Sequence, residues 1–191
     1  MIVPLLFCLL AAGPLSYEGF SLATGVAALI DKYPGSAHEF WPKPSGEIVR
    51  SQDNAGRLRQ LVKEGSGAYL VRLSAKEAHD HIYLLHADLE NGSLERLRIS
   101  LEMPAHLLTA RVRNGLEAFE KRHPPCSQVL DALTGKLGQP APVETRTEEG
   151  LDHQLHSWTR NGEKLSLDCG QYVGRKVTFA LDVTLSKATG H

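Results

Sequence analysis

The chain lacks most of what would announce an activity. Its 21 Lys and Arg nearly cancel its 22 Asp and Glu, leaving a formal net charge of −1 over 191 residues. So small an excess supplies no broad field for nucleic acid or an anionic membrane. The local cation groups Arg57, Arg59, Lys63 and Arg96, Arg98, Arg111, Arg113 recur at helix or strand spacing and read as solvated faces. There is no Gly-x-Ser-x-Gly elbow and no Ser-x-x-Lys. Gly135-Lys136 is followed by Leu, which excludes a phosphate loop there. His38-Glu39 runs into Trp41-Pro42, which excludes a zinc-protease helix. Nothing pairs a nucleophile with a base, and no cofactor is expected.

Long apolar runs are also lacking. Met1 to Ala12 has the length of a signal-peptide core and falls short of the ~20 residues that span a bilayer. Residues 1–16 therefore read as a signal peptide, and no integral membrane span is expected. No Lys or Arg precedes the run and Pro14 crowds the cleavage point, so a start upstream of Met1 and a buried core segment both stay open. Cys8 follows Phe7, where a lipidation site wants a small residue. Cysteine is scarce. With the leader removed only Cys126 and Cys169 remain, an even number that suits an oxidising compartment, periplasmic or secreted.

What is present is ordinary globular composition, 42% apolar and 23% charged, at a length for one large domain or two small packed ones. Val26, Leu29, Ile30 and Tyr33 mark a helix over Phe20 to Tyr33, stopped by Pro34-Gly35. Residues 36–67 read as a Pro-rich loop holding a short helix around Leu58, Leu61 and Val62. Strands follow at Tyr69–Leu73, His81–Leu89 and Arg96–Leu101, with Asn91-Gly92 supplying the positive φ of a type I′ turn. Pro104 opens an amphipathic helix through Leu108, Val112, Leu116 and Phe119, and a second helix begins near Ser127. Three more strands, His153–Arg160, Glu163–Cys169 and Arg175–Leu185, close the chain around Asn161-Gly162. Apolar and polar residues alternate along them, as in an antiparallel sheet wet on one face.

The fold class is α+β: two helix-plus-antiparallel-meander repeats, 17–103 and 104–191, with helices on one face of the sheet. Lys32 lies 59 positions before Asn91 and Lys136 lies 25 before Asn161. The first copy thus carries about 34 additional residues, matching the inserted loop. The segments Gly25-Val-Ala-Ala-Leu-Ile-Asp-Lys-Tyr-Pro34 and Val129-Leu-Asp-Ala-Leu-Thr-Gly-Lys-Leu-Gly138 resemble the helix ends of the β-lactamase inhibitor proteins. Trp158, Asn161-Gly162 and Lys164 to Asp168 resemble that family's central hairpin. A single copy resembles the small outer-membrane assembly lipoproteins. The resemblance implies an inhibitor-like or scaffold-like binder, with no target and no inhibitory residue transferred.

Three local readings follow. Cys169 lies in phase with Leu165 and Leu167, and Cys126 begins the helix that should cover that face. Either a bridge staples helix to sheet or two buried thiols face each other. Phe40 and Trp41, flanked by Pro42 and Pro44, set aromatics on a stiff turn, either as a recognition patch or folded back on the sheet. His79 and His81, with Asp80 between them, share parity in a strand and offer the alternative of a small metal-dependent hydrolase. The other histidine pair, His153 and His156, diverges in a strand. The expectation is an exported non-enzymatic protein with a protein partner.

Overall fold

The computed structural model describes residues 13–44, 46–73, 83–101, 126–148, 150–172 and 178–188. Chain order begins with a small ribbon, β1 (Ser16–Tyr17) and β2 (Phe20–Ser21), followed by α1 (Val26–Lys32). Next come β3 (Ala37–Pro42), β4 (Val49–Arg50), α2 (Ser51–Glu64), β5 (Gly67–Leu73), β6 (Tyr83–Glu90) and β7 (Ser93–Leu101). The later half supplies α3 (Cys126–Leu137), β8 (Glu144–Glu148), β9 (Leu151–Arg160), β10 (Glu163–Tyr172) and β11 (Thr178–Lys187).

Nine of these strands form one antiparallel sheet in the order β4-β3-β5-β6-β7-β11-β10-β9-β8. The sheet is continuous across the middle of the chain, because β7 pairs with β11 from Arg96↔Ser186 to Ser100↔Asp182. Every neighbouring pair is antiparallel, so side chains alternate between two faces and line up in rows across the sheet. One row runs Val49, Phe40, Tyr69, Ala87, Leu97, Leu185, Leu165, Trp158. A second runs His38, Val71, Leu85, Ile99, Val183, Leu167, His156. All are buried, and the apolar ones share one core cluster with Val26, Leu29 and Ile30 of α1, Leu58 and Val62 of α2, and Cys126, Val129 and Leu133 of α3. The fold is thus α+β, with helices packed on one face of a large antiparallel sheet.

The Asn-Gly turns behave as their chemistry requires. Asn91 and Asn161 have φ of 49° and 52°, Gly92 and Gly162 of 73° and 74°, the left-handed pair that matches strand twist. The two turns are not in equivalent places. Counted outward from the β7–β11 junction, Asn91-Gly92 joins the first and second strands, whereas Asn161-Gly162 joins the second and third.

Several boundaries differ from the sequence reading. The first helix starts at Val26, since Phe20 and Ser21 pair back onto Tyr17 and Ser16 around a turn with Glu18 and Gly19 at positive φ. Residues 36–67 are no loop: they hold β3, β4 and a 14-residue helix kinked at Asn54. Strand β8 was not expected; all five of its residues are exposed, so no apolar period marks it. Leu15, within the expected leader, is buried, and its N–H donates to Glu163 Oε2 at 3.0 Å. The amphipathic helix after Pro104 and the cluster His79, Asp80, His81 lie outside the described residues.

Candidate functional site

Cys126 and Cys169 form a disulfide spanning 43 positions. It ties the first residue of α3 to the core side of β10, the face Cys169 shares with Leu165 and Leu167. Trp158 packs beside them in the core, and its Nε1–H donates to the Gly138 carbonyl at 2.8 Å. Against the end of α3 lies a pocket of about 230 Å³ lined in part by Leu15, Leu137, Trp158 and Arg160. It is smaller than the ~300 Å³ at which small-molecule sites begin.

Phe40 and Trp41 do not share a turn. They are consecutive in β3, so they point to opposite faces. Phe40 is 0% exposed and belongs to the core, which removes it as a contact residue; Trp41 is 49% exposed. Trp41 stands on the face that the described helices leave uncovered.

That face is the candidate site. Its rows are Trp41, Ala68, Asp88, Arg96, Ser186, Lys164, Thr159; then Glu39, Leu70, His86, Arg98, Thr184, Ser166, Ser157. A third runs Arg72, Leu84, Ser100, Asp182, Asp168, Leu155, Glu144. None of these side chains is buried. Short hydroxyls occupy the centre, and ion pairs sit at three stations across the face. Near one edge Arg50 Nε donates to Glu39 Oε1 at 2.8 Å, and Trp41 Nε1–H reaches Glu39 Oε2 at 3.4 Å. The Arg50 hydrogen bond holds the Glu39 carboxyl below the usual range. One carboxylate therefore orients both a cation and the exposed indole.

At the second station Arg96 Nε donates to Asp88 Oδ2 at 2.7 Å, with His86 beside them. Partial burial lowers the His86 pKa, opposed by Asp88 and helped by Arg98 and Arg96. Near the other edge Arg146 Nη2 donates to Asp168 Oδ2 at 2.9 Å, and His153 Nδ1 bonds Asp168 Oδ1 at 2.9 Å. An Asp–His dyad alone is not a nucleophilic centre. Among the described residues no Ser, Thr or Cys side chain bonds His153. Nor does any group of three His, Cys, Asp or Glu side chains among them offer a metal site. No helix among the described residues is long and apolar enough to cross a membrane.

Most of this face was legible as alternation, since Arg96, Arg98 and Ser100 stand opposite Leu97, Ile99 and Leu101 in the sequence. The pairing of Trp41 with Glu39 needs residues 37–42 to be a strand and not a loop, and the salt bridge from β8 to Asp168 needs strand register; neither is readable from the sequence alone. No family model, no curated protein and no solved structure matches this chain.

Proposed function

We propose that the protein is an exported, non-enzymatic binder, made of two unequal helix-plus-meander units, that engages another protein through the bare face of its sheet. The observation that carries this reading is the contrast between the faces. One is apolar and covered; the other is wide and half-exposed, with charged side chains paired across its strands and Trp41 49% exposed on it. Exposed aromatics are enriched among interface hot spots. The disulfide supports export, because such bonds persist in oxidising compartments. Leu15 moves the expected start of the mature chain to a point before it, since a cut after residue 16 would remove a core side chain.

The test is affinity capture from envelope extract with the native protein and three single variants. Trp41→Ala and Arg98→Glu change the bare face and are expected to reduce capture about tenfold or more. Gln60→Glu, on the exposed side of α2, is expected to leave capture unchanged. A captured protein indifferent to both face variants would refute the reading.

A further inference from the structure

The sheet has two edges, and they are built differently. Strand β4 is two residues long and runs directly into α2. Strand β8 is five residues, Glu144-Thr-Arg-Thr-Glu148, with every side chain exposed. It holds neither Pro nor Gly, and just ahead of it Val143 is 46% exposed, one of two large apolar side chains that stand out of the described surface. Edge strands are ordinarily blunted by shortness, Pro or charged side chains, because their unpaired backbone groups template a further strand; the charges of β8 are of both signs, Glu144 and Glu148 beside Arg146, and can pair with those of another strand.

The direction of those backbone groups can be worked out. The Ala141 N–H donates to the Ser157 carbonyl at 2.8 Å, so Ser157 of β9 faces the β8 side. Alternation then turns His153 and Leu155 the same way, and their partners Arg146 and Glu144 face inward to β9. Val143, Thr145 and Thr147 consequently present their N–H and C=O groups outward.

We infer that β8 is a homodimer edge: β8 of a second copy pairs with it antiparallel across a two-fold axis at Thr145, making one continuous sheet of both chains. Charge selects this register. Centring the pair on Arg146 would set Arg146 against itself and Glu144 against Glu148, like against like. Centring on Thr145 sets Glu144 against Arg146 of the partner subunit twice, Thr145 against its own copy, and Val143 against Thr147 twice. Opposite charges, Thr–Thr and β-branched pairs are the favourable cross-strand combinations. The outward groups of Val143, Thr145 and Thr147 then form about six backbone hydrogen bonds, and the charged pairs fall at the closer, non-hydrogen-bonded positions. Glu144 has no ion pair within its own chain among the described residues, whereas Arg146 contacts Asp168 and Glu148 and retains donors for a third carboxylate. A strand pair this short buries less than the ~1,200 Å² of a standard interface, so the dimer is expected to be reversible, with Kd in the micromolar range.

Sedimentation equilibrium of the full chain over a concentration series tests this. The native protein is expected to move from the mass of one 20.9 kDa chain to twice that. Arg146→Glu places like charges across the axis and should weaken association about tenfold or more. The swap Glu144→Arg with Arg146→Glu restores opposite pairs and should recover it. Both lack the native Arg146–Asp168 bridge, so their difference isolates the contact between copies. Thr145→Cys should give a disulfide-linked dimer under oxidation, and Thr147→Cys should not. A native protein monomeric at every concentration, a swap that fails to recover association, or crosslinking at Thr147 in place of Thr145 would overturn the assignment. Circular dichroism of each variant confirms folding.

Discussion

The two Asn-Gly turns have the same residues and nearly the same dihedral angles, yet they do different jobs. Asn91-Gly92 is wedged against the end of α2: the Asn91 N–H donates to Ser66 Oγ at 2.9 Å and the Gly92 N–H to the Gly65 carbonyl at 2.8 Å. A Cβ on Gly92 would fall onto the Lys63 carbonyl oxygen. At Asn161-Gly162 the Gly162 carbonyl accepts from the Ala188 N–H at 2.7 Å, and nothing lies within 4 Å of where a Gly162 Cβ would stand. The first half thus binds its helix to the sheet through a turn. The second half binds its helix through Cys126–Cys169. A turn dipeptide specifies a hairpin; only its tertiary setting makes it a joint between helix and sheet.

The same contrast appears in the two histidines that end one buried row. His38 is fully partnered: its Nε2–H donates to the Tyr33 carbonyl at 2.7 Å, and its Nδ1 accepts from the Tyr69 hydroxyl. Burial raises the Tyr69 pKa, which keeps that hydroxyl protonated as the donor. At the far end of the row His156 is 5% exposed, and neither ring nitrogen has a partner among the described residues. The first half satisfies its buried polar group with hydrogen bonds, and the second carries one unsatisfied beside a covalent staple.

The largest expected effect is loss of that staple. Replacing both Cys126 and Cys169 by Ala frees a loop of 43 positions, and chain entropy predicts a loss of about 4 kcal/mol in urea unfolding. A shift under about 1 kcal/mol would mean that α3 is held by packing alone, erasing the difference between the halves.

Next come the glycines. Gly92→Ala combines a left-handed alanine with a collision against helix backbone and should cost about 3 kcal/mol or more. Gly162→Ala meets only the first of these and should cost about 1 kcal/mol. Equal losses at the two sites would show that Gly92 is no joint.

Much of the scaffold could be read from periodicity. Strands β7 and β11 alternate cleanly because one face is buried and one is wet, and the phase of Cys169 with Leu165 and Leu167 pointed it at α3. What escaped reading depended on contacts remote in sequence. Phe40 and Trp41 look alike as neighbours, and only the pairing of β3 with β5 sends one to the core and the other out. Strand β8 has no buried side to create a period, so its Glu-Thr-Arg-Thr-Glu reads as loop. Gly92 and Gly162 are indistinguishable in sequence because each follows a helix end, Glu64 of α2 and Leu137 of α3, and only the folded chain brings the first of these ends against its turn.

The smallest expected effect is carried by His156, and its sign is fixed by burial. Burial lowers the His156 pKa in the folded chain below its ordinary value near 6.5. As pH falls, the unfolded chain therefore takes up this proton first. Stability linked to His156 is fully present above about pH 6.5, declines as pH drops from there to the folded value, and then levels off. Within that window the slope is at most about 1.4 kcal/mol per pH unit. His86 is displaced in the same direction, so the comparison must be made against a variant that keeps it. His156→Leu removes a buried group that lacks partners and should raise stability at neutral pH by about 1 kcal/mol. It should also flatten the decline between pH 6.5 and 5 in urea titrations. His38→Leu should do the reverse at neutral pH, stranding the Tyr69 hydroxyl and lowering stability by about 1–3 kcal/mol. If His156→Leu destabilises the chain as His38→Leu does, His156 has a polar partner, and the two ends of the row are alike.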